Sequence, residues 1–248
     1  MKTQVVEIMS SIQGEGLIVG LRQIFLRFLG CNLRCPFCDT PTSLVEQSGR
    51  CQVEKTPGGR DFYYLANPLS EEKILAILRD LNTNRRHHSL SLTGGEPLLQ
   101  VEFLESFLPK LREDGLPAYL ETNGTLPKNL ARVIQDLDYI GMDIKLPSSL
   151  AGQEYWLEHQ EFLQVAQQKQ VFVKIVLTAE TEEEELVQAL EIIRGVNPLI
   201  PLILQPVSPW GGMEGPQPRQ VIYLQDLALE YLEQVRVIPQ THKMIGQL

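Results

Sequence analysis

The chain has 248 residues, 43% of them hydrophobic, and a formal net charge of -9. That length suits a single α/β domain, and the acidic balance argues against a nucleic-acid surface, which relies on clustered Lys and Arg. No run approaches the roughly 20 apolar residues that span a bilayer, and the start MKTQVVEIMSSIQGEG lacks the layout of a secretory signal. These features predict a cytoplasmic protein with a small-molecule or protein partner.

Near the first strand, Gln13-Gly14-Glu15-Gly16 sets a carboxylate between glycines. Backbone and acid can then reach into a pocket together, where a flat heterocycle with a guanidine-like edge would match the acceptor. A tight turn with a solvated Glu is the alternative. The run 22–30 predicts a strand that carries Arg27 on the same face as Phe25 and Leu29. A buried Arg needs a partner, either a substrate carboxylate or a nearby acid. Residues 41–69, with Pro41, Pro57, Gly58, Gly59 and Pro68, predict an irregular insertion.

The stretch 70–81 predicts a helix capped by Ser70, with Ile74, Leu75, Leu78 and Leu81 in one stripe. Short, nearly continuous apolar runs then recur at 88–94, 117–124, 139–147, 171–178, 200–207 and 235–242, as expected of strands buried on both faces. Alternating strands and helices predict a parallel sheet, either doubly wound or curled into a full or partial barrel, with ligands at the carboxyl ends of the strands. Thr93-Gly94-Gly95-Glu96-Pro97, Asp143-Ile144-Lys145 and Gln205 all lie at such ends.

Cys31, Cys35 and Cys38 sit in C-N-L-R-C-P-F-C, and the remaining cysteine is Cys51. A structural zinc site closes with four ligands, whereas three thiolates on a four-iron cluster leave one iron open for an exogenous ligand. Cys51 is either a free thiol or a fourth ligand that would make the site an ordinary zinc or electron-transfer centre. The histidines show no metal-binding spacing.

The cysteine spacing, with Phe37 before the last thiol, resembles the signature of the radical S-adenosylmethionine (SAM) superfamily, and TGGEP resembles its SAM-contacting motif. The wider set IQGEG, Arg27, CNLRCPFCDT, TGGEP, LETNG, DIKLPSS and RVIPQTH is similar to the 7-carboxy-7-deazaguanine synthase family over about residues 12–242. That resemblance implies a partial TIM-like barrel of the radical SAM type. It implies a ring-contracting lyase that uses a 4Fe-4S cluster, SAM and Mg²⁺ to convert 6-carboxy-5,6,7,8-tetrahydropterin, with hydrogen abstraction at C6 and loss of ammonia.

The same resemblance puts Ile12, Gln13, Gly14, Glu15, Arg27 and Thr93 around the pterin. It puts Gly95, Asp143, Ile144 and Lys145 on SAM and Thr40 on Mg²⁺; Glu96, in the TGGEP motif, and Gln205, by its place at a strand end, would meet SAM as well. Asp143 departs from the Ser that often stands there. A homodimer and an electron donor such as a flavodoxin or ferredoxin are implied as partners. The nearest alternatives are an activating enzyme for a glycyl-radical protein and a non-catalytic iron-sulfur or zinc protein.

Overall fold

In a computed structural model of the chain, residues 1–44, 49–208 and 214–247 are described. The strands are β1 (Lys2–Thr3), β2 (Val5–Ile12), β3 (Arg22–Phe28), β4 (Arg50–Glu54), β5 (Phe62–Ala66), β6 (Leu69–Ser70), β7 (Ser89–Gly94), β8 (Ala118–Thr122), β9 (Tyr139–Asp143), β10 (Gln170–Leu177), β11 (Leu202–Pro206) and β12 (Val235–Val237). The helices are α1 (Glu71–Leu81), α2 (Val101–Glu113), α3 (Pro127–Val133), α4 (Trp156–Ala166), α5 (Glu183–Val196), α6 (Pro218–Tyr231) and α7 (Thr241–Met244).

One ten-stranded sheet runs in the order β12-β11-β10-β9-β8-β7-β3-β2-β4-β5. Its pairs from β12 to β3 are all parallel, β2 runs antiparallel to β3, and β4 and β5 pair antiparallel at the far edge. The sheet has two edges, so the barrel is partial, as the resemblance implied. Helix α1 begins where its residues predict, with the Ser70 hydroxyl accepting from the Lys73 amide and Ile74, Leu75, Leu78 and Leu81 buried.

The strands are not apolar on both faces. On the helix-facing side, Ile24, Leu26, Phe28, Leu90, Leu92, Leu120, Ile140, Met142, Val173, Ile175, Leu202 and Leu204 join one core with α1, α2 and α5. Each such side chain contributes about 1.5–3 kcal/mol on burial. The alternate residues turn to the concave side, the lumen, and many are polar: Arg27, Thr93, Glu121, Asp143, Lys174 and Gln205. Phe172 and Tyr119 stack there, with ring centroids 6.3 Å apart, and Leu17 and Ile18 pack against them.

The stretch 41–69, expected to be an irregular insertion, instead contains the β4–β5 hairpin, which extends the sheet beyond β2. Alternation explains it: Cys51 and Val53 are fully buried, and Pro57, Gly58 and Gly59 supply only the turn between strands. Among the described residues, no helix is long and apolar enough to cross a membrane.

Candidate active site

The lumen holds a cavity of about 210 Å³. The connection after β3 brings Cys31, Cys35 and Cys38 to its upper wall, all partly exposed and none in a disulfide. Burial pushes the Cys31 and Cys35 thiols up, and for Cys35 the nearby Lys145 ammonium pulls the other way. That ammonium lies 5.2 Å from the Phe37 ring centroid. Cys51 is elsewhere: it is fully buried on β4, outside the cavity lining, and burial holds its thiol at about 12. It does not complete the set of three.

Beside the thiols, the end of β7 brings Gly94 against β3 at Arg27 and Phe28, and the turn that follows brings Gly95 against the start of the cysteine loop. A Cβ on Gly95 would stand 1.9 Å from the Gly30 carbonyl oxygen, so only glycine fits. Glu96 and Ile144, both expected at SAM, lie outside the cavity lining. The Glu96 carboxylate is fully buried and accepts from the Leu98 amide (3.1 Å), the Thr122 hydroxyl (2.9 Å) and the Asn123 amide (2.8 Å). Burial raises it to about 7 in spite of those donors. The Ile144 side chain is in the core because strand alternation sends it to the helix side.

The floor comes from the amino-terminal side of the barrel, where Ile12 pairs with Arg22 and the chain folds inward before β3 begins. Its glycines allow close approach. A Cβ on Gly14 would overlap the His242 ring at 2.0 Å, and Gly16, at φ +67, lies against Phe172. The Gln13 amide nitrogen donates to Gln23 (3.0 Å) and Glu121 (2.8 Å). Glu15 pairs with Lys174 and accepts from the Gln240 amide nitrogen at 2.6 Å. Burial would raise the Glu15 carboxyl, but these partners prevail and hold it at about 2.

Arg27 lies on the lumen side beside Phe25, as its strand position predicts. Its Nε donates to Glu7 at 2.6 Å, so the acid alternative is met in part, and its Nη1 is 3.4 Å from the Thr40 hydroxyl. That hydroxyl donates to Asp39 at 3.0 Å. Thr93 lines the cavity 3.4 Å from Glu121. Gln205 is 3% exposed, and its Oε1 has no partner among the described residues. A buried acceptor left open in a cavity wall suits a ligand donor.

Sequence reasoning missed Glu121, Lys174, Gln240, Asn123 and the aromatic pair. The lumen parity of β8 and β10 was the signal available for Glu121 and Lys174. Burial and the neighbouring Glu15 charge raise the Glu121 carboxyl, which accepts from the Ser91 hydroxyl at 2.7 Å.

Residues 26–193 match the family model of the radical SAM superfamily. Over 98% of its length and 96% of the relative's, the chain is 48% identical to a 7-carboxy-7-deazaguanine synthase of Geobacter sulfurreducens. The chain belongs to the 7-carboxy-7-deazaguanine synthase family of radical SAM enzymes. A further synthase of this name, from Archaeoglobus fulgidus, is 34% identical over 99% of both chains. QueE from Escherichia coli shares the fold, with a TM-score of 0.63 at 18% identity, covering 98% of this chain and 95% of that one.

The donor set fits what a radical SAM member of this family requires. Three soft thiols on one loop suit an iron-sulfur cluster with one open iron, and the glycine cradle and the open Gln205 acceptor suit a ligand beside it.

Proposed function

We propose that this chain converts 6-carboxy-5,6,7,8-tetrahydropterin into 7-carboxy-7-deazaguanine with loss of ammonia, as a radical SAM carbon–nitrogen lyase in queuosine and deazapurine synthesis. The observation that carries the reading is the meeting, in one lumen, of a three-thiol loop with a floor built from QGEG and Arg27. Family membership supports it across the whole chain.

Cys31, Cys35 and Cys38 would hold the cluster, which, with SAM on its open iron, supplies the radical that starts the reaction. Gly95, Asp143, Lys145 and Gln205 would receive SAM from the cavity wall, with Glu96 and the Ile144 backbone shaping that wall from behind. Glu96 does so by holding Thr122 and Asn123 in place. At the floor, Gln13, Glu15 and Glu121 present acceptors to the amino-pyrimidine edge of the pterin, and Ile12, Gly14 and Thr93 close around it. The Arg27 guanidinium, held at Nε by Glu7, keeps Nη groups for the substrate carboxylate. Thr40 would give Mg²⁺ a single protein oxygen, in keeping with an ion that retains waters and takes few protein ligands.

A homodimer and reduction by a flavodoxin- or ferredoxin-like donor in the cytoplasm complete the reading. The test is anaerobic incubation of reconstituted protein with SAM, a strong reductant, Mg²⁺ and the pterin, read by mass spectrometry. The expected result is 7-carboxy-7-deazaguanine. Formation of 5′-deoxyadenosine without it would reject the substrate, and formation of neither by protein with an intact cluster would reject the activity.

A further inference from the structure

Several carboxylates line the lumen, among them Glu15, Glu121 and Asp143, and Lys174 on β10 stands between two of them. Its ammonium pairs with Glu15 on the floor and lies 3.3 Å from Asp143 Oδ1. Asp143 Oδ2 is held at 2.5 Å by Lys145 Nζ, which sits over the Phe37 ring of the cysteine loop. The result is an alternating ionic chain, Glu15, Lys174, Asp143, Lys145, that runs from the floor to the cysteine loop. Lys174 is 15% exposed and is the only cation paired with Glu15 among the described residues.

Buried charges held this way depend on every member. Without Lys174, Glu15 keeps only a neutral amide from Gln240, and Asp143 keeps only Lys145. Removing one partner of a buried pair leaves the other desolvated and uncompensated, and it turns away or takes up water. Both ends of the cavity then lose their set positions.

We propose that Lys174 is a positioning residue that joins the pterin end of the site to the SAM end by holding Glu15 and Asp143 at once. This rests on the function proposed above. Lys174 acts through its two acids, and its partner Asp143 is tolerated beside SAM because Lys174 shares its charge.

The test is anaerobic equilibrium binding of SAM and of the pterin to reconstituted wild type, Lys174→Met, Asp143→Ser and the double variant, with iron content and Tm recorded for each. Lys174→Met should weaken the pterin about 30-fold or more and SAM about 10-fold. Adding Asp143→Ser should bring SAM back to within about 3-fold of the Asp143→Ser single variant while the pterin stays weak, because Glu15 is still unheld. Loss of affinity for only one ligand in Lys174→Met, or for neither, would overturn the proposal.

Should Lys174→Met fail to fold, the charge-matched double variant carries the same question. Weak pterin with retained SAM supports the joint, and both retained overturns it. A wild type that binds SAM but no pterin would sink the substrate assignment instead, so the two failures are distinct.

Discussion

The two faces of the sheet are made by the same strands and do opposite work. In β7, Leu90 and Leu92 enter the helix-side core while Ser91 and Thr93 turn to the lumen. In β10, Val173 and Ile175 are fully buried among helices, whereas Lys174 carries a charge into the cavity. The apolar core therefore lies on one face and the polar lining of the cavity on the other. A buried polar face is tolerated because its groups satisfy one another: Gln13 with Glu121, Glu121 with Ser91, Lys174 with Glu15 and Asp143.

The separation can be broken from either side. Cys35→Ser, in the upper wall of the lumen, should give iron content well below wild type and turnover at background, with a Tm close to that of cluster-free wild type, whereas Cys51→Ser should keep its iron. Retained iron in Cys35→Ser would remove that thiol from the cluster set. On the opposite face, Leu92→Ala should cost about 2–5 kcal/mol in chemical denaturation while turnover per folded molecule stays near wild type. A large loss of turnover in the folded fraction would show that the faces are not separable there.

Arg27→Ala should raise the pterin dissociation constant about 30-fold or more and leave SAM cleavage without pterin intact. Unchanged pterin affinity would leave Arg27 as a structural partner of Glu7 alone.

The smallest effect concerns pH. Glu96 has a folded value of about 7 against an ordinary 4.5, so the folded state binds the extra proton in that interval. Its contribution to stability is fully present below about pH 4.5 and is lost as pH rises through about 7. Subtracting the stability curve of Glu96→Gln from that of wild type should therefore give a difference that declines across this window and is flat above it. A difference that rises with pH would mean that the carboxylate is stabilised as the anion.

Element order and the three thiols were readable because each rests on local signals: the Ser70 cap, the apolar runs and the cysteine spacing. The polar lumen was not, because Ser-Leu-Ser-Leu-Thr reads as a short apolar run unless its parity is followed strand by strand. Glu121 and Lys174 sit on the parity of Tyr119 and Phe172, and only curvature turns those residues toward one another. The β4–β5 hairpin was hidden by its Pro57-Gly58-Gly59 turn, whose punctuation outweighed the alternation of Cys51 and Val53. Gln240 and His242 reach the site from the last described segment by tertiary packing against the QGEG floor. No spacing in the sequence carries that contact.

An anaerobic crystal structure of the reconstituted protein with SAM and the pterin would show whether the lumen face binds the pterin with SAM beside the thiols. The pterin ring should lie on Gln13, Glu15 and Glu121, with its carboxylate toward Arg27 and Thr40. A pterin bound instead in the second cavity, lined by Leu17, Ile18, Lys169, Gln170 and Leu199 at the amino-terminal ends of β9 and β10, would overturn that placement.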